Sequence, residues 1–353
     1  MTHRVVVVGM GVIGAQTLLH LAEAGVACTG IERRTVGHPH GSSSGGATRI
    51  FRTGWDRQHD DALGYARERW SALSHEGRPV FSSSGALTVG HHRDPRMAAL
   101  LARSEHGGGF SQWRSEATRE RWPHLLLAPD DVAVLDERGG LLDARAAVVA
   151  TLALARRLGA EVVERTTVTE VRDEGSRLQL LSGDRAWPAS RVVCTTGGRP
   201  AFWPGRPARD ADFPQGRRVA LGWIEPREPV PGAACVAPGI RFLADDEAVS
   251  FFPPVDEWGW KVNYMPSHRP PAAGAAHPGL TAPDLAALDA AAHFTLRSLR
   301  TGVARAETHV EWYSRSGEPL YLADAGGRLT AVTGFSGNGF RLAPWVGRGL
   351  AGL

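Results

Sequence analysis

The sequence predicts an α/β fold in which a parallel sheet is buried on both faces and a second, α+β unit is inserted into it. Three observations predict this fold. A run of β-branched residues at Val5–Val8 suits a buried strand, a glycine-rich turn leads into a helical pattern ending at Gly25, and a second apolar run covers residues 26–31. With 353 residues the chain exceeds one ordinary hydrophobic core, so we expect two domains.

The turn between strand and helix carries Gly9, Gly11 and Gly14 at G-x-G-x-x-G spacing. The first glycine makes the tight turn, the second lets a pyrophosphate approach the backbone, and the third lets helix and strand pack closely. The helix N-terminus favours the anion, and Glu32 suits the ribose hydroxyls. Since strand, glycines, helix, second strand and acid occur in order, we predict a Rossmann-type dinucleotide site rather than a structural glycine turn. Its candidate residues are Gly9, Gly11, Val12, Ile13, Gly14, Glu32 and Arg33.

The composition excludes several classes of function. The chain has 40 basic and 37 acidic residues, a net charge of +3, and no basic stretch interleaved with aromatic residues, so nothing indicates a nucleic-acid partner. Its cysteines, Cys28, Cys194 and Cys235, are odd in number and widely spaced, which favours a reducing compartment over disulfides or a zinc site. Because neither a signal peptide nor an 18-residue apolar span is present, we expect a cytoplasmic protein without membrane or metal contacts.

A long loop is predicted over residues 32–52, because His38-Pro39 and a Gly/Ser run suit neither a helix nor a central strand. Its serines could cradle phosphates, or the run could be a flexible linker. The run leads into Arg49 and Arg52, which are separated by two apolar residues. This spacing indicates cations held in a cleft rather than on a solvated face.

Further along, apolar periodicity predicts helices over residues 56–76, 96–105, 141–158 and 285–299. Strands are predicted over residues 80–89, 160–163, 168–171 and 178–181, and residues 191–198 are predicted to return to the first sheet. Residues 329–347 repeat the opening order of strand, glycine loop and helix, with the helix starting near Leu342. We therefore assign residues 1–80, 140–215 and 310–353 to the nucleotide domain. Residues 81–139 and 216–309 form a substrate domain built on a mixed or antiparallel sheet.

Five sequence stretches resemble the monomeric sarcosine oxidase and N-methyltryptophan oxidase family of FAD amine oxidases, within the D-amino-acid-oxidase superfamily. They are VVVVGMGVIG with Glu32, GHPHGSSSGGATRIFR, GGLLDARAAVVATLALARRLGAEV, YSRSGEPLYLAD and GFSGNGFR. The last two and the TRIFR segment are more specific than the glycine fingerprint. The resemblance implies FAD rather than NAD, with the flavin at the interface of the two domains.

The resemblance also implies roles for four cations. Arg49 matches the arginine beside the flavin ring, and Arg52 matches the arginine that holds the substrate carboxylate. Arg341 falls where the family has a second carboxylate-binding cation, a lysine. Lys261, the only lysine in the chain, matches the lysine that activates oxygen, where a fixed ammonium stabilises developing negative charge. Without the resemblance, a surface lysine would be the simpler interpretation of Lys261.

Two departures from the family alter these expectations. The family attaches its flavin through a cysteine, and Glu311 stands at that position, so the resemblance implies non-covalent FAD. Ser250 and Met265 replace a tyrosine and a histidine of the substrate pocket, and sarcosine is therefore not expected to be the best substrate. The remaining cofactor-binding candidates that the resemblance implies are Ser42, Ser43, Thr48, Arg49, Val168, Thr196, Gly197, Gly337, Asn338, Gly339, Phe340 and Arg341.

We therefore predict FAD-dependent oxidation of a secondary or cyclic amine that carries a carboxylate, giving an imine, with O2 reduced to hydrogen peroxide. The predicted partners are an amino-acid-like substrate and O2, and the protein is expected to be a monomer or a weak homo-oligomer. Three alternatives remain open at this point: a tailoring flavin dehydrogenase or desaturase of a cyclic or aromatic amino acid, a non-catalytic flavin-binding homologue, and an NAD-dependent dehydrogenase.

Overall fold

Two large sheets organise the protein in a computed structural model that describes residues 4–38, 43–44, 46–53, 59–105, 108–198, 213–230, 232–244, 247–265 and 279–352. The helices within these ranges are α1 (Val12–Glu23), α2 (Asp60–Ser71), α3 (Pro95–Ser104), α4 (Ser115–Arg121), α5 (Ala144–Arg157), α6 (Ala282–Thr295) and α7 (Gly339–Ala351). The strands are β1 (Val5–Val8), β2 (Cys28–Ile31), β3 (Thr48–Phe51), β4 (Ser74–His75), β5 (Arg78–Pro79), β6 (Phe81–Ser82), β7 (Ala86–His91), β8 (Phe110–Arg114), β9 (Asp131–Asp136), β10 (Gly140–Asp143), β11 (Glu161–Val163), β12 (Glu170–Asp173), β13 (Leu178–Ser182), β14 (Arg185–Ala189), β15 (Arg191–Gly197), β16 (Gln215–Ile224), β17 (Gly239–Phe242), β18 (Ala248–Phe252), β19 (Trp260–Tyr264), β20 (Arg305–Tyr313), β21 (Leu320–Ala323) and β22 (Leu329–Thr333).

The first sheet has six strands in the order β11-β2-β1-β15-β22-β21. Strands β11, β2, β1, β15 and β22 are mutually parallel, and β21 is antiparallel at the edge. Val5 and Val7 belong to the apolar core shared with α1, α5 and α7, whereas Val6 and Val8 pack into the core under the β12–β14 meander. Both faces of β1 are thus covered, which is why its sequence is continuously apolar instead of alternating.

The second sheet has eight strands in the order β20-β16-β19-β18-β17-β7-β9-β8. Its pairs are antiparallel except for β17 with β7. Helix α6 covers one face, where Leu288 and Ala292 join the core that contains Ala220 and Val262. Because side chains alternate along a strand, the opposite face presents Lys261 of β19 toward β3. The mixed α/β class with its antiparallel second sheet is confirmed.

Two observed boundaries differ from the predicted ones because strands pair with partners that are distant in sequence. The loop predicted over residues 32–52 ends in β3, which pairs with β10, while β10 also pairs with β6. For the same reason, the helix predicted over residues 141–158 begins only at Ala144, after Asp143 has capped it by accepting a hydrogen bond from the Ala146 N–H (2.8 Å). Local periodicity contains no information about these distant partners.

Both of the last two helices begin three residues before their predicted starts. Helix α6 begins three residues before the predicted start because Thr281 and Asp284 form a reciprocal capping box. Helix α7 begins at Gly339 rather than near Leu342. The predicted strand over residues 80–89 is divided into β6 and β7, with Gly85 at φ +77° between them.

The strands of the six-stranded sheet all fall within the segments assigned to the nucleotide domain, whereas β20 crosses the predicted boundary at residue 310. The division into domains itself stays a prediction. Within the described ranges, no helix is both long and apolar enough to span a membrane.

Candidate active site

The glycine turn after β1 has the close contacts that its spacing predicts. Gly9 adopts φ +96°, and a Cβ there would lie 2.9 Å from the carbonyl oxygen of Thr195 in β15. A Cβ on Gly14 would lie only 2.0 Å from the carbonyl oxygen of Gly9. Helix α1 therefore packs against the turn at a distance that only glycine permits, and its N-terminus has no acidic residue in the first turn. Such a terminus favours a phosphate.

Glu32 lies against this turn. One of its carboxylate oxygens accepts a hydrogen bond from the Met10 N–H (2.8 Å), and the other accepts one from the Arg34 N–H (3.0 Å). These bonds fix the carboxylate beside the glycines and leave further lone pairs for hydroxyl donors. Val168 packs nearby in the core that contains Ile31, while Arg33 is exposed.

The serine loop reaches the same helix terminus, although the predicted residue Ser42 lies outside the described residues. Ser44, which was not among the predicted contacts, accepts a hydrogen bond from the Val12 N–H through its Oγ (3.0 Å). A Cβ on Gly11 would lie 3.0 Å from that Oγ. Ser43 contributes its carbonyl oxygen, which accepts a hydrogen bond from Arg49 Nη2 (2.6 Å). The loop and the helix N-terminus therefore form one polar cradle.

The return strand β15 lies beside β1, as predicted, and ends next to the glycine turn. Thr195 donates a hydrogen bond through Oγ1 to the carbonyl oxygen of Gly9 (2.7 Å). Thr196 is exposed, and Gly197 has φ +83°. Thr333, at the end of β22, donates to the carbonyl oxygen of Gly197. The N-terminal and C-terminal parts of the chain therefore meet at this edge of the sheet.

Arg49 and Lys261 share one acceptor. The carbonyl oxygen of Thr48 in β3 accepts a hydrogen bond from Lys261 Nζ (2.6 Å) and another from Arg49 Nη1 (2.8 Å). Lys261 is 2 % exposed, and its ammonium lies 3.7 Å from the centroid of the Phe252 ring. Burial, followed by the charge of Arg49, lowers the pKa of Lys261 well below its usual value. The structure therefore brings these two cations together between β3 and the eight-stranded sheet.

Arg52 and Arg341 form a second pair of cations. Arg341 donates hydrogen bonds to the carbonyl oxygen of Arg52 (3.3 Å) and to Asn338 Oδ1 (3.0 Å). Burial, followed by the charge of Arg341, lowers the pKa of Arg52, while Asp136 raises it. Because a guanidinium starts far above neutrality, we take both groups as charged. Two neighbouring positive charges with little access to water create a potential that favours an anion.

The closing glycine loop supplies a helix terminus to this second pair. Helix α7 starts at Gly339, its N-cap residue Asn338 makes no side-chain cap, and Arg341 lies in its first turn. A cation there opposes the helix dipole, so the positive potential of the terminus adds to that of Arg341. Phe340 is buried, and the Arg49 guanidinium lies 5.3 Å from the centroid of its ring. Gly337, with φ +83°, lies in the loop itself.

The two predicted pocket positions differ in their surroundings. Ser250 is partly buried in β18, where it is paired with Asn263 of β19. Met265 follows β19 and is 42 % exposed. Both positions stay predictions as substrate contacts.

Strand β20 contributes charged residues that the sequence interpretation missed, apart from Glu311. Glu307 and His309 are 8 % and 2 % exposed. Together with Glu311 and Tyr313 they occupy every second position of β20, so all four side chains lie on one face of the strand. Glu311 accepts a hydrogen bond from the Tyr313 hydroxyl (3.1 Å). Charges at every second position are the available sequence signal, but on an unassigned strand they resemble a solvated edge.

The family follows from comparison with known proteins. Residues 4–353 match the family model described as DAO, FAD dependent oxidoreductase. The chain belongs to this family. Its cofactor is FAD, and the predicted family, flavin cofactor and oxidoreductase class are confirmed.

Individual relatives of this FAD oxidoreductase are distant. The chain is 26 % identical over 279 residues to the monomeric sarcosine oxidase of Streptomyces avermitilis, covering 75 % of this chain and 70 % of that protein. It is 25 % identical over 202 residues to the N-methyl-L-tryptophan oxidase of Salmonella arizonae, covering 56 % and 54 %. The chain thus spans about half of the latter relative.

Solved structures share the fold over nearly the whole chain. The open form of NikD, described as an unusual amino acid oxidase essential for nikkomycin biosynthesis, superposes with a TM-score of 0.83 at 20 % identity, covering 99 % of this chain and 93 % of that one. The L-proline dehydrogenase from P. horikoshii gives a TM-score of 0.79 at 18 % identity, covering 99 % and 92 %.

The residues present fit FAD. The decisive observation is the cradle at the start of α1, where added Cβ atoms on Gly9 and Gly14 would meet backbone atoms and where Glu32 is fixed beside the turn. An anionic diphosphate and an adjacent ribose suit this donor and acceptor set.

Proposed function

We propose that this FAD oxidoreductase oxidises a secondary or cyclic amine that carries a carboxylate to the imine, with O2 reduced to hydrogen peroxide. One observation carries the proposal: Arg341 Nη1 donates a hydrogen bond to the backbone carbonyl oxygen of Arg52 (3.3 Å) next to the N-terminus of α7, which brings the two cationic residues together. A carboxylate placed there would relieve the repulsion between the two guanidinium groups and accept charge-assisted hydrogen bonds from both.

The cofactor would be held by residues of both termini. The start of α1 and the serine loop would bind the diphosphate, and Glu32 would bind the ribose. Bound FAD supplies a two-electron acceptor. Arg49, which is tied to the carbonyl oxygens of Ser43 and Thr48, would bring a positive charge beside it. Phe340 and the loop at Gly337 would close the site from the C-terminal side. The cofactor roles of Ile13, Arg33, Val168, Thr196, Gly197 and Gly339 are part of the same proposal.

The cations also determine how the substrate binds. Arg52 and Arg341 would orient the substrate by its carboxylate, and such positioning can lower the barrier by several kcal/mol. Since four cationic side chains, Arg49, Arg52, Lys261 and Arg341, belong to this site, a positive charge on the substrate would be repelled, and the amine would bind in its neutral form. Lys261 would stabilise the negative charge that develops on O2.

The test is a panel of N-methyl and cyclic amino acids, each paired with its carboxamide, mixed anaerobically with the yellow holoenzyme. We expect a carboxylate-bearing amine to bleach the visible absorbance of the flavin, and its carboxamide to do so far more slowly. Admission of air should restore the colour and release peroxide. If no amine bleaches the flavin, or if carboxylate and carboxamide react equally well, the proposal fails.

A second candidate is a tailoring dehydrogenase or desaturase of a cyclic or aromatic amino acid. It is favoured by Ser250 and Met265, which would give the pocket side chains that differ from the tyrosine and histidine that the resemblance implies for the sarcosine oxidases. The two candidates differ in their electron acceptor. Peroxide formed in proportion to substrate supports the oxidase, whereas turnover that needs an artificial dye supports the dehydrogenase. In the oxidase, Lys261→Met should slow the reaction with O2 without slowing anaerobic bleaching.

Non-covalent attachment of FAD belongs to the same proposal. Cys28 and Cys194 are buried in the six-stranded sheet, Cys235 lies in the loop between β16 and β17, and Glu311 occupies β20. Acid precipitation should therefore release the yellow colour into the supernatant. The cytoplasmic location, the monomeric or weakly oligomeric state and the division into two domains are further parts of the proposal, which gel filtration and fractionation of the producing cells can test.

A further inference from the structure

The peptide group between Arg52 and Thr53 is held by a charged side chain at each of its ends. Its carbonyl oxygen, which belongs to Arg52, accepts a hydrogen bond from Arg341 Nη1 (3.3 Å). Its N–H, which belongs to Thr53, donates a hydrogen bond to Asp136 Oδ2. Because the C=O and the N–H of a trans peptide point to opposite sides, the carboxylate and the guanidinium are connected through this one peptide group.

Asp136 is fixed in place by its own strand and the turn that follows. It is the last residue of β9, where it pairs with Ala86 of β7. Its Oδ1 accepts a hydrogen bond from the Arg138 N–H (3.1 Å), and its carbonyl oxygen accepts one from the Gly139 N–H (3.0 Å). A Cβ on Gly139 would lie 2.5 Å from the Cβ of Ala86 and 2.9 Å from the carbonyl oxygen of Phe51 in β3. The turn is therefore packed between β7 and β3.

The contact between Asp136 and Thr53 is buried on both sides. The two residues are 6 % and 3 % exposed. Besides its N–H, Thr53 donates its hydroxyl to the same carboxylate, with Oγ1 lying 3.0 Å from each carboxylate oxygen. A buried carboxylate needs such donors to compensate for its lost hydration. The donors named here are neutral, so the negative charge remains available to polarise the peptide group.

The carboxylate and the guanidinium act on the peptide in the same sense. An N–H that faces an anion and a C=O that faces a cation align the peptide dipole with both partners, and hydrogen bonds in such a chain strengthen one another. Without the carboxylate, the buried N–H of Thr53 would lose its acceptor, which is costly. The peptide would then rotate toward another acceptor, and its carbonyl oxygen would turn away from Arg341.

We propose that Asp136 is a positioning residue of the carboxylate site, acting on Arg341 through the peptide group between Arg52 and Thr53. Asp136 sets the direction of the Arg52 carbonyl oxygen, and this oxygen holds the Arg341 guanidinium in the orientation that binds a carboxylate. A residue of the eight-stranded sheet thereby controls a cation at the start of α7. The inference rests on the proposed function, because the carboxylate site is part of that proposal.

Binding of a simple carboxylate measures this role without turnover. Acetate is titrated into the holoenzyme, and its dissociation constant is determined from the change in flavin absorbance, with acetamide as the uncharged counterpart. Asp136→Asn keeps the shape but replaces one acceptor oxygen by an N–H donor, and we expect the dissociation constant of acetate to rise about tenfold. Asp136→Ala, which has no acceptor in any orientation, should give at least the same rise. The dissociation constant of acetamide should rise by less than about twofold.

Asp131→Asn is the matched control. Asp131 also lies in β9, is 5 % exposed, and accepts hydrogen bonds from the Ala128 N–H (2.8 Å) and from Arg241 Nη2 (2.6 Å). Its replacement should lower the stability to urea but leave the dissociation constants of acetate and acetamide unchanged. If the dissociation constant of acetate rises as much in Asp131→Asn as in Asp136→Asn, a general loss of structure explains the effect and the proposal fails.

A double-mutant cycle with Arg341→Met tests the path of the effect. In the Arg341→Met protein, the further change Asp136→Asn should raise the dissociation constant of acetate by less than about twofold, because the side chain that Asp136 orients is already absent. If the two increases multiply instead, Asp136 acts by another route, and the proposal is overturned.

The outcomes separate this inference from the proposed function. Weaker binding of acetate to Asp136→Asn, in a protein whose flavin no amine bleaches, supports the positioning role and refutes only the proposed oxidation. An unchanged dissociation constant of acetate in both Asp136 variants of an active oxidase refutes only the positioning role. Failure of acetate to bind the wild-type protein refutes the carboxylate site, and the positioning role with it.

Discussion

Replacing Arg341 with methionine separates substrate binding from stability. The side chain keeps a similar length and apolar stem, but it loses the hydrogen bonds to Asn338 Oδ1 and to the carbonyl oxygen of Arg52. A cation in the first turn of a helix opposes the helix dipole by about 0.3–1 kcal/mol, and its charge also repels Arg52. These two gains offset only part of the lost hydrogen bonds, since each bond from a charged donor contributes about 1.5–3 kcal/mol. We therefore expect the free energy of unfolding to fall by about 1–3 kcal/mol.

Binding of the carboxylate should respond much more strongly. A hydrogen bond to a charged group contributes about 1.5–3 kcal/mol, so KM for the carboxylate substrate should rise roughly 10- to 100-fold. The carboxamide of the same amine cannot use this interaction fully, and its KM should change by less than about threefold. Steady-state kinetics with both substrates and urea unfolding of both proteins measure the two effects.

Arg348→Met is the matched control for this variant. Arg348 lies on the same helix, α7, but is exposed, and it stacks over Tyr65 and Trp345. Its replacement should leave both KM values unchanged. Equal increases of KM for carboxylate and carboxamide in Arg341→Met, or no increase for either, would refute the role of Arg341 as a carboxylate ligand.

Three further predictions test the fold around the site. Gly14→Ala places a Cβ about 2.0 Å from the Gly9 carbonyl oxygen, so FAD affinity should fall at least about tenfold by fluorescence titration. Gly64→Ala, in α2 with nothing within 4 Å of the new Cβ, should bind FAD normally. Burial lowers the pKa of His124 to about 4, so the unfolded chain, with its ordinary value near 6.5, binds the proton more readily. The stability from the neutral ring is complete above pH 6.5 and is lost as the pH falls toward 4, by about 3 kcal/mol, and His124→Phe should flatten this dependence in denaturant titrations. Asp284→Asn breaks the buried ion pair with Arg218 (2.7 Å). It should lower the free energy of unfolding by about 3–5 kcal/mol, because a buried charge then lacks its partner. A loss below about 1 kcal/mol would contradict this role of the ion pair.

The first part of the fold could be predicted from local sequence alone. Strand β1, helix α1 and the position of Glu32 follow rules that act over a few residues: β-branched residues for a buried strand, glycine for the close approach of Gly9 and Gly14, and an acid after the second strand. In the structure, Glu32 lies beside the glycine turn, where it accepts a hydrogen bond from the Met10 N–H (2.8 Å). Short-range steric rules are transferable because every chain obeys them.

Elements that depend on distant partners were less predictable. Strand β3 lies in a segment with the composition of a loop, and it forms because Gly140–Asp143 supplies its hydrogen bonds. The pairing of Arg52 with Arg341 likewise joins residues 289 positions apart. The resemblance implied that both arginines bind the substrate carboxylate. No property of either local segment predicts the hydrogen bond between Arg341 and the carbonyl oxygen of Arg52.

The charges on β20 illustrate why the site could be predicted only in part. Strand β20 is an edge strand of the eight-stranded sheet, and charged side chains on such a strand normally face water. Here Glu307 and His309 are almost fully buried, and the chain before β3 lies against this face, since a Cβ on Gly46 would be 3.3 Å from His309 Nε2. From the sequence, Glu311 indicates only that the cysteine to which the family attaches its flavin is absent. In the structure, Glu311 belongs to this same face of β20, and the side chains that it faces across the sheet can be derived only once the order of β20, β16 and β19 is known.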